Sequence, residues 1–179
     1  MHYIYIIKYN YLKHINNYNI IMSIEIRPWK LWYHSINDTN WDKNSYKQIF
    51  LINNIYDFNI SKDIFKQNHY QNGMFFIMRD NIFPNWEDPG NRMGGCLSFK
   101  VPSTKIIEHW NELSLRCITE NIMKDNNHHI NGISISPKKE FNIIKIWINE
   151  DSFKYKDYFI EIGEFFSLTN SIYRKHIIN

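Results

Sequence analysis

From Arg27 to His34 the side chains alternate strictly: Trp29, Leu31 and Tyr33 fall on one side, Lys30, Trp32 and His34 on the other. A period of two fits a strand and not a helix, so this stretch must lie in a sheet with two differently used faces. The pattern returns where Ile133 and Ile135 alternate with Ser134 and Ser136 up to Pro137, and Phe141 to Ile148 reads as the antiparallel partner of that strand. Further strands are expected at about 46–52, at 74–79 after Gly73, at 95–101 after Gly94-Gly95, and at 171–177. Short loops favour antiparallel pairing, because parallel crossovers need about a dozen residues or more.

Helices are expected in three places. Ile55, Phe58, Ile64 and Phe65 suggest one over roughly 54–67. Ile106, Trp110, Leu113 and Cys117 share a face over 103–123, with Ser103 or Thr104 as the cap. Tyr155, Phe159, Ile162 and Phe166 make an apolar stripe over about 152–166. The expected fold is α+β: one domain with a curved, mostly antiparallel sheet, about three helices on its convex face and a ligand slot on its concave face.

At 179 residues, 44% of them hydrophobic and 17% aromatic, the chain has the composition of one folded domain. A net charge of +3 permits an anionic ligand without demanding a nucleic-acid groove. Cys96 and Cys117, without a secretion signal, read as reduced cytosolic thiols. No apolar run reaches the eighteen or so residues of a membrane span, and neither cofactor nor metal is called for. Met1 to Ile21 is apolar but broken by Lys8 and Lys13 and lacks a cleavage site, so it does not read as a signal peptide. Residues 1–22 are expected to be a dispensable or disordered extension, with Met22 an alternative start, and 23–179 to be the domain.

The segment Asn85-Trp86-Glu87-Asp88-Pro89-Gly90-Asn91-Arg92-Met93-Gly94-Gly95 carries the chemistry. Pro84, Pro89 and Gly90 keep it irregular, and an indole in a surface loop calls for something to cover it. On the residues alone, Trp86 serves equally well as a plug at the sheet edge.

Trp86-Glu87-Asp88, Asn91 and Gly94-Gly95 resemble the W-E-D-x-x-N-x-x-G-G signature of the cap-binding translation initiation factor 4E family. Trp29-Lys30-Leu31-Trp32-Tyr33 resembles its opening W-x-L-W-[FY] strand, and Asn40-Trp41 follows a polar loop where the family has its first stacking Trp. Asp57-Phe58, then His109-Trp110 with Glu112, and Lys145-Ile146-Trp147 continue the likeness in order. The resemblance implies that Trp41 and Trp86 sandwich a 7-methylguanine, that Glu87 reads the guanine edge, and that Trp147 meets the methyl group. A cation between two indoles gains quadrupole attraction on both faces, and a carboxylate accepting from a charged base makes strong bonds.

For the phosphates the resemblance implies Lys138, with Lys139 beside it; Lys145, two residues past Ile143 on the same strand face, and Arg92 are candidates to take the place of the family's other cations. Cys96 stands where the family has an Arg, and Ile143 where it has a Lys. Asn59, Asn111 and Ser23-Ile24 replace the anchors that hold a scaffold or repressor helix, so ordinary partner binding should be lost, leaving a divergent partner or none. The last strand ends near 177, which implies that most of the family's C-terminal cap-contacting loop has no counterpart. The expected protein is a cytoplasmic, non-enzymatic monomer that binds capped mRNA in translation initiation or its regulation.

Two other readings compete. An enzyme acting on RNA ends would draw on Cys96, Cys117, His109, His128 and His129, but His128-His129 lacks zinc-site spacing and Gly94-Gly95 lacks the P-loop Lys. A decayed fold kept as an interaction module would have no reason to retain Trp41, Trp86 and Glu87 together.

Overall fold

Strand alternation is realised along the whole sheet of the computed structural model, which describes residues 25–176. Seven strands form among them: β1 (Glu25–Ser35), β2 (Tyr46–Asn54), β3 (Gly73–Arg79), β4 (Gly95–Pro102), β5 (Ile130–Pro137), β6 (Phe141–Ile148) and β7 (Ser171–Lys175). All pairings are antiparallel, in the order β2-β1-β3-β5-β6-β4-β7, within one curved sheet. The expected extension over residues 1–22 lies outside the described residues.

The period of two sorts each strand between two layers. Leu97, Phe99 and Val101 of β4 and Ile144, Ile146 and Ile148 of β6 point into the main core. There they meet α1 (Ile55–Ile64), through Ile55 and Phe58, and α3 (Ile106–Ile118), through Ile106, Trp110, Leu113 and Cys117. The intervening residues face the other way, where Phe76, Met78, Cys96 and Trp147 build a smaller cluster on the concave side.

The helices depart from expectation in four ways, most of them caused by partners distant in sequence. A short α2 (Gln67–Asn72) follows α1, with His69 Nδ1 accepting from the Lys66 backbone at 2.9 Å, a reverse cap that sequence inspection passed over. The α3 helix starts after Ser103 because that residue is engaged elsewhere: its carbonyl accepts from Gln67 Nε2 at 2.6 Å and its hydroxyl from Asn142 Nδ2 at 3.2 Å. It stops at Ile118 and not near 123, since Glu120 takes a left-handed φ of 55°, and the Asn121 and Glu120 amides return to Arg116 and Cys117. That is a Schellman closure in which a Glu occupies the place normally given to Gly. Its carboxylate is held by Arg79 at 2.7 Å.

The expected helix over 152–166 shrinks to the single turn α4 (Tyr155–Tyr158). Phe159, Ile162 and Phe166 are buried as their spacing suggested, but on extended chain. Phe159 bridges Met123, the Ile160 amide donates to Ile122, and Ile162 bridges Phe166 around Gly163 at φ +57°. Strand-like pairing with the segment after α3 satisfies the backbone that a helix would otherwise have satisfied internally.

Core packing yields the first prediction. Ile146→Ala, at a fully buried position, should lower unfolding free energy by about 3 kcal/mol, whereas Leu115→Ala on the exposed side of α3 should stay within about 0.5 kcal/mol. Urea titration of both variants measures this, and equal losses would contradict the layer assignment.

Candidate functional site

Residues 80–94, between β3 and β4, contain no regular element, yet the loop is fixed by its own polar side chains. Asp88 accepts from the Phe83 amide at 3.1 Å and the Gly90 amide at 2.8 Å. Asn91, fully buried, donates from Nδ2 to the carbonyls of Phe83 at 3.0 Å and Asn85 at 2.8 Å. Its Oδ1 accepts from Asn131 Nδ2 at 2.8 Å, and the same amide donates to Gly90 O at 2.7 Å. Asn131 sits in the bulge of β5 against β6, where the register shifts between Ile130 and Gly132. Gly94 passes so close to the Ile148 carbonyl that any Cβ would overlap it.

That scaffold leaves Trp86 and Glu87 projecting. Trp86 is 42% exposed. On the opposite side of the sequence, the β1–β2 loop is locked by Asp38, Asn40 and Asp42, each accepting a backbone amide two residues on. The Asn40 side-chain amide, donating from Nδ2 to Asp42 Oδ2 at 2.8 Å, and after it the Asn44 backbone amide hold the Asp42 carboxyl below its ordinary range. The loop presents Trp41, 51% exposed, with one ring face stacked on buried His34 at 4.2 Å and 2°. His34 Nε2 lies 2.9 Å from the Asn40 carbonyl, which orients the imidazole. Tyr46 packs edge-on against Trp41 and Phe83, and burial pushes its hydroxyl pKa up to about 12.

A cleft of about 440 Å³ opens between these loops, lined by Trp41, Trp86, Glu87, Lys145 and Trp147 together with Tyr46, Phe76, Ser134 and Ser136. Five of the eight expected site residues therefore converge. Trp147 is nearly buried and donates from Nε1 to Ser134 Oγ at 2.9 Å, which fixes its ring in the floor. Lys138 and Lys139 are exposed in the β5–β6 hairpin and Arg92 in the loop after Asp88; none of the three lines the cleft.

Three residues at or beside the cleft carry no signal of their own in the sequence: Tyr46, which lines it, and Arg174 and His176, which line the adjoining surface together with Trp86, Lys145 and Trp147. His176 follows β7, its amide donating to Gly94 O at 2.9 Å and its Nδ1 to Asn91 O at 2.8 Å, which leaves Nε2 to accept from the Cys96 thiol at 3.3 Å. Burial pushes the Cys96 pKa up to about 12 and holds that of His176 below its ordinary value. Cys96 and His176 are therefore a neutral pair, the opposite of an activated thiolate. Cys117, also a free thiol, is sealed in the core. His129 stacks on Phe153 at 4.1 Å, and His109 packs edge-on against Phe165.

The family model described as Eukaryotic initiation factor 4E matches residues 26–175. The chain belongs to the eukaryotic initiation factor 4E family. Initiation factor 4E of Saccharomyces cerevisiae is 31% identical over 91 residues, which are 50% of this chain and 41% of the relative. The stretches matched span less than half the length of each curated relative, between 35% and 49%. Initiation factor 4E-3 of Ascaris suum, solved in complex with an m7G cap, superposes with a TM-score of 0.64 at 20% identity, covering 74% of this chain and 76% of that one. Initiation factor 4E-3 of Caenorhabditis elegans, in complex with the 4E-binding protein Mextli, does so with a TM-score of 0.64 at 18% identity, over 72% and 76%. At such identities the likeness establishes a common 4E fold.

Two predictions concern this scaffold. Asn91→Ala removes two donated bonds and the one accepted from Asn131, leaving two part-buried carbonyls without that donor, so unfolding free energy should fall by about 2–4 kcal/mol and proteases should cut within 83–94. A loss below about 0.5 kcal/mol would mean that the amide is not the loop's anchor. Because the folded-state pKa of His176 is depressed, the unfolded chain binds its proton first; stability is complete above the ordinary histidine value of about 6.5 and declines as pH falls below it. The urea midpoint should drop between about pH 7.5 and 5.5, and drop less in His176→Gln. Identical pH profiles would remove His176 as the cause.

Proposed function

We propose that this initiation factor 4E family member binds the 7-methylguanosine cap of mRNA in the cleft between Trp41 and Trp86, and catalyses nothing. The observation that carries the reading is the convergence of two half-exposed indoles and one carboxylate, Glu87, on a single aromatic-floored slot. Methylation at N7 leaves a positive charge on guanine, and a cationic ring between two indole faces is attracted by both quadrupoles. GTP lacks that charge and gains only stacking. Glu87 offers two oxygens to the guanine N1–H and N2–H₂ donors, a pairing adenine cannot make. Trp147 lies in the floor, where the methyl group would rest.

His34 has a definite part in this reading. It covers the back of Trp41 and fixes the ring plane, so the ligand meets a wall already built and not a freely rotating side chain. The protein is proposed to act in the cytoplasm, in translation initiation or its regulation. No helix among the described residues is long and apolar enough to cross a membrane. On the convex face Asn59 and Asn111 are part-buried, with Tyr56, Ile60 and Leu115 exposed nearby in the same helices. Amides standing there in place of apolar anchors offer a partner helix less hydrocarbon to bury, which supports a divergent partner or none.

Intrinsic tryptophan fluorescence titrated with 7-methyl-GTP and GTP tests the reading, with an expected preference of at least roughly tenfold for the methylated nucleotide. Trp86→Ala and Glu87→Ala should each cost more than about 2 kcal/mol of affinity. Equal binding of the two nucleotides by the native protein would sink the proposal, and native-like affinity in either variant would put the ligand elsewhere.

A further inference from the structure

Beside the slot lies a larger cavity of about 680 Å³, and the two run into one another, since Trp86, Lys145 and Trp147 line both. Its far wall is the edge of the sheet, where Arg174 and His176 flank β4. Strand register fixes the geometry. Arg174 lies opposite Cys96, and Cys96 opposite Trp147; one row along, Ile172 lies opposite Ser98, and Ser98 opposite Lys145. Arg174 and Lys145 are thus two strands and two residues apart on the same face, with strands spaced by about 4.8 Å. Long side chains can close that gap around one anion.

Neighbouring charges determine which cations at this cavity are free to act. Lys175 is already paired with Asp151 at 3.0 Å. Among the described residues, neither Arg174 nor Lys145 has a carboxylate within ion-pair distance. Between them the surface is uncharged and mostly apolar, formed by Cys96, Ser98, Ile143 and Ile172. Uncompensated positive charge over a low-dielectric floor focuses field on whatever anion enters. Lys138, Lys139 and Arg92 line neither cavity.

We propose that Arg174, from the last strand, is the main anchor for the polyphosphate of a nucleotide whose base occupies the slot, gripping it jointly with Lys145. The inference rests on the cap-binding reading and deepens it. The phosphates leave the base past Trp86 and Trp147 and run across β6 and β4 toward β7, away from the β5–β6 hairpin. A guanidinium presents two parallel N–H groups to one phosphate, which an ammonium cannot match. Arg174 is exposed on an edge strand, so its replacement leaves the core intact.

The test is fluorescence titration of native protein, Arg174→Gln and Arg174→Lys with 7-methylguanosine, its monophosphate and its triphosphate, alongside GTP. Arg174→Gln should weaken the triphosphate about tenfold while leaving the nucleoside unchanged, and Arg174→Lys should recover only part of that loss. Native triphosphate affinity in Arg174→Gln, or equal loss for nucleoside and triphosphate, would overturn the assignment. If the native protein does not prefer 7-methyl-GTP to GTP, it is the base-slot reading that fails. A native preference with an indifferent Arg174 refutes this inference alone.

Discussion

Every strand in this sheet has to satisfy two environments at once, because successive side chains leave opposite faces. The helix side accepts only close-packed hydrocarbon, and Ile144, Ile146 and Ile148 of β6 meet that demand. The residues between them, Ile143, Lys145 and Trp147, are thereby delivered to the concave side with no freedom to shift register. A slip of one residue would put Lys145 in the core and an isoleucine in its place. The core therefore fixes the position of the site chemistry on the strands, and the loops need only bring Trp41 and Trp86 to a surface already set.

The two loops are stiffened by different means. Around Trp41 the short carboxylates and amides of 38–42 bond to nearby backbone, which costs nothing in core packing and suits a loop open to water. Around Trp86 the stiffening is buried and long-range, with Asn91, Asn131 and His176 joining three separate segments. Because β7 enters that network through His176, the edge strand and the loop are mechanically one piece. Removing the scaffold would disturb both the indole and the basic cavity.

Sequence made the sheet readable wherever alternation was clean, as in β1, β5 and β6, whose observed limits match the expected ones closely. Trp41, Trp86, Glu87, Lys145 and Trp147 were also legible and do come together. The failures share a cause: local pattern does not reveal which non-local partner will satisfy a backbone group. The apolar spacing of 155, 159, 162 and 166 fits a helix, but the segment after α3 offers bridging partners, and Gly163 permits the turn. Glu120 carries no signal for a left-handed turn because what accompanies it there is Arg79, forty-one residues away. Lys138 and Lys139 line neither cavity, and Arg174 comes to share a face with Lys145 only because β7 lies beside β4.

The distribution of charge follows from these placements. Among the described residues Glu87 is the carboxylate that lines the slot, and the neighbouring cavity holds Lys145 and Arg174 without a carboxylate in ion-pair reach, separated by a neutral thiol and imidazole. Were Cys96 ionised, it would neutralise a cation where one is needed; burial prevents this by pushing its pKa up to about 12. The site is thus polarised along its length, negative where a cationic base edge would sit and positive where its phosphates would lie. A ligand carrying charges in that order gains at both ends, and one bound in the reverse direction loses at both, so the same few side chains fix orientation as well as affinity.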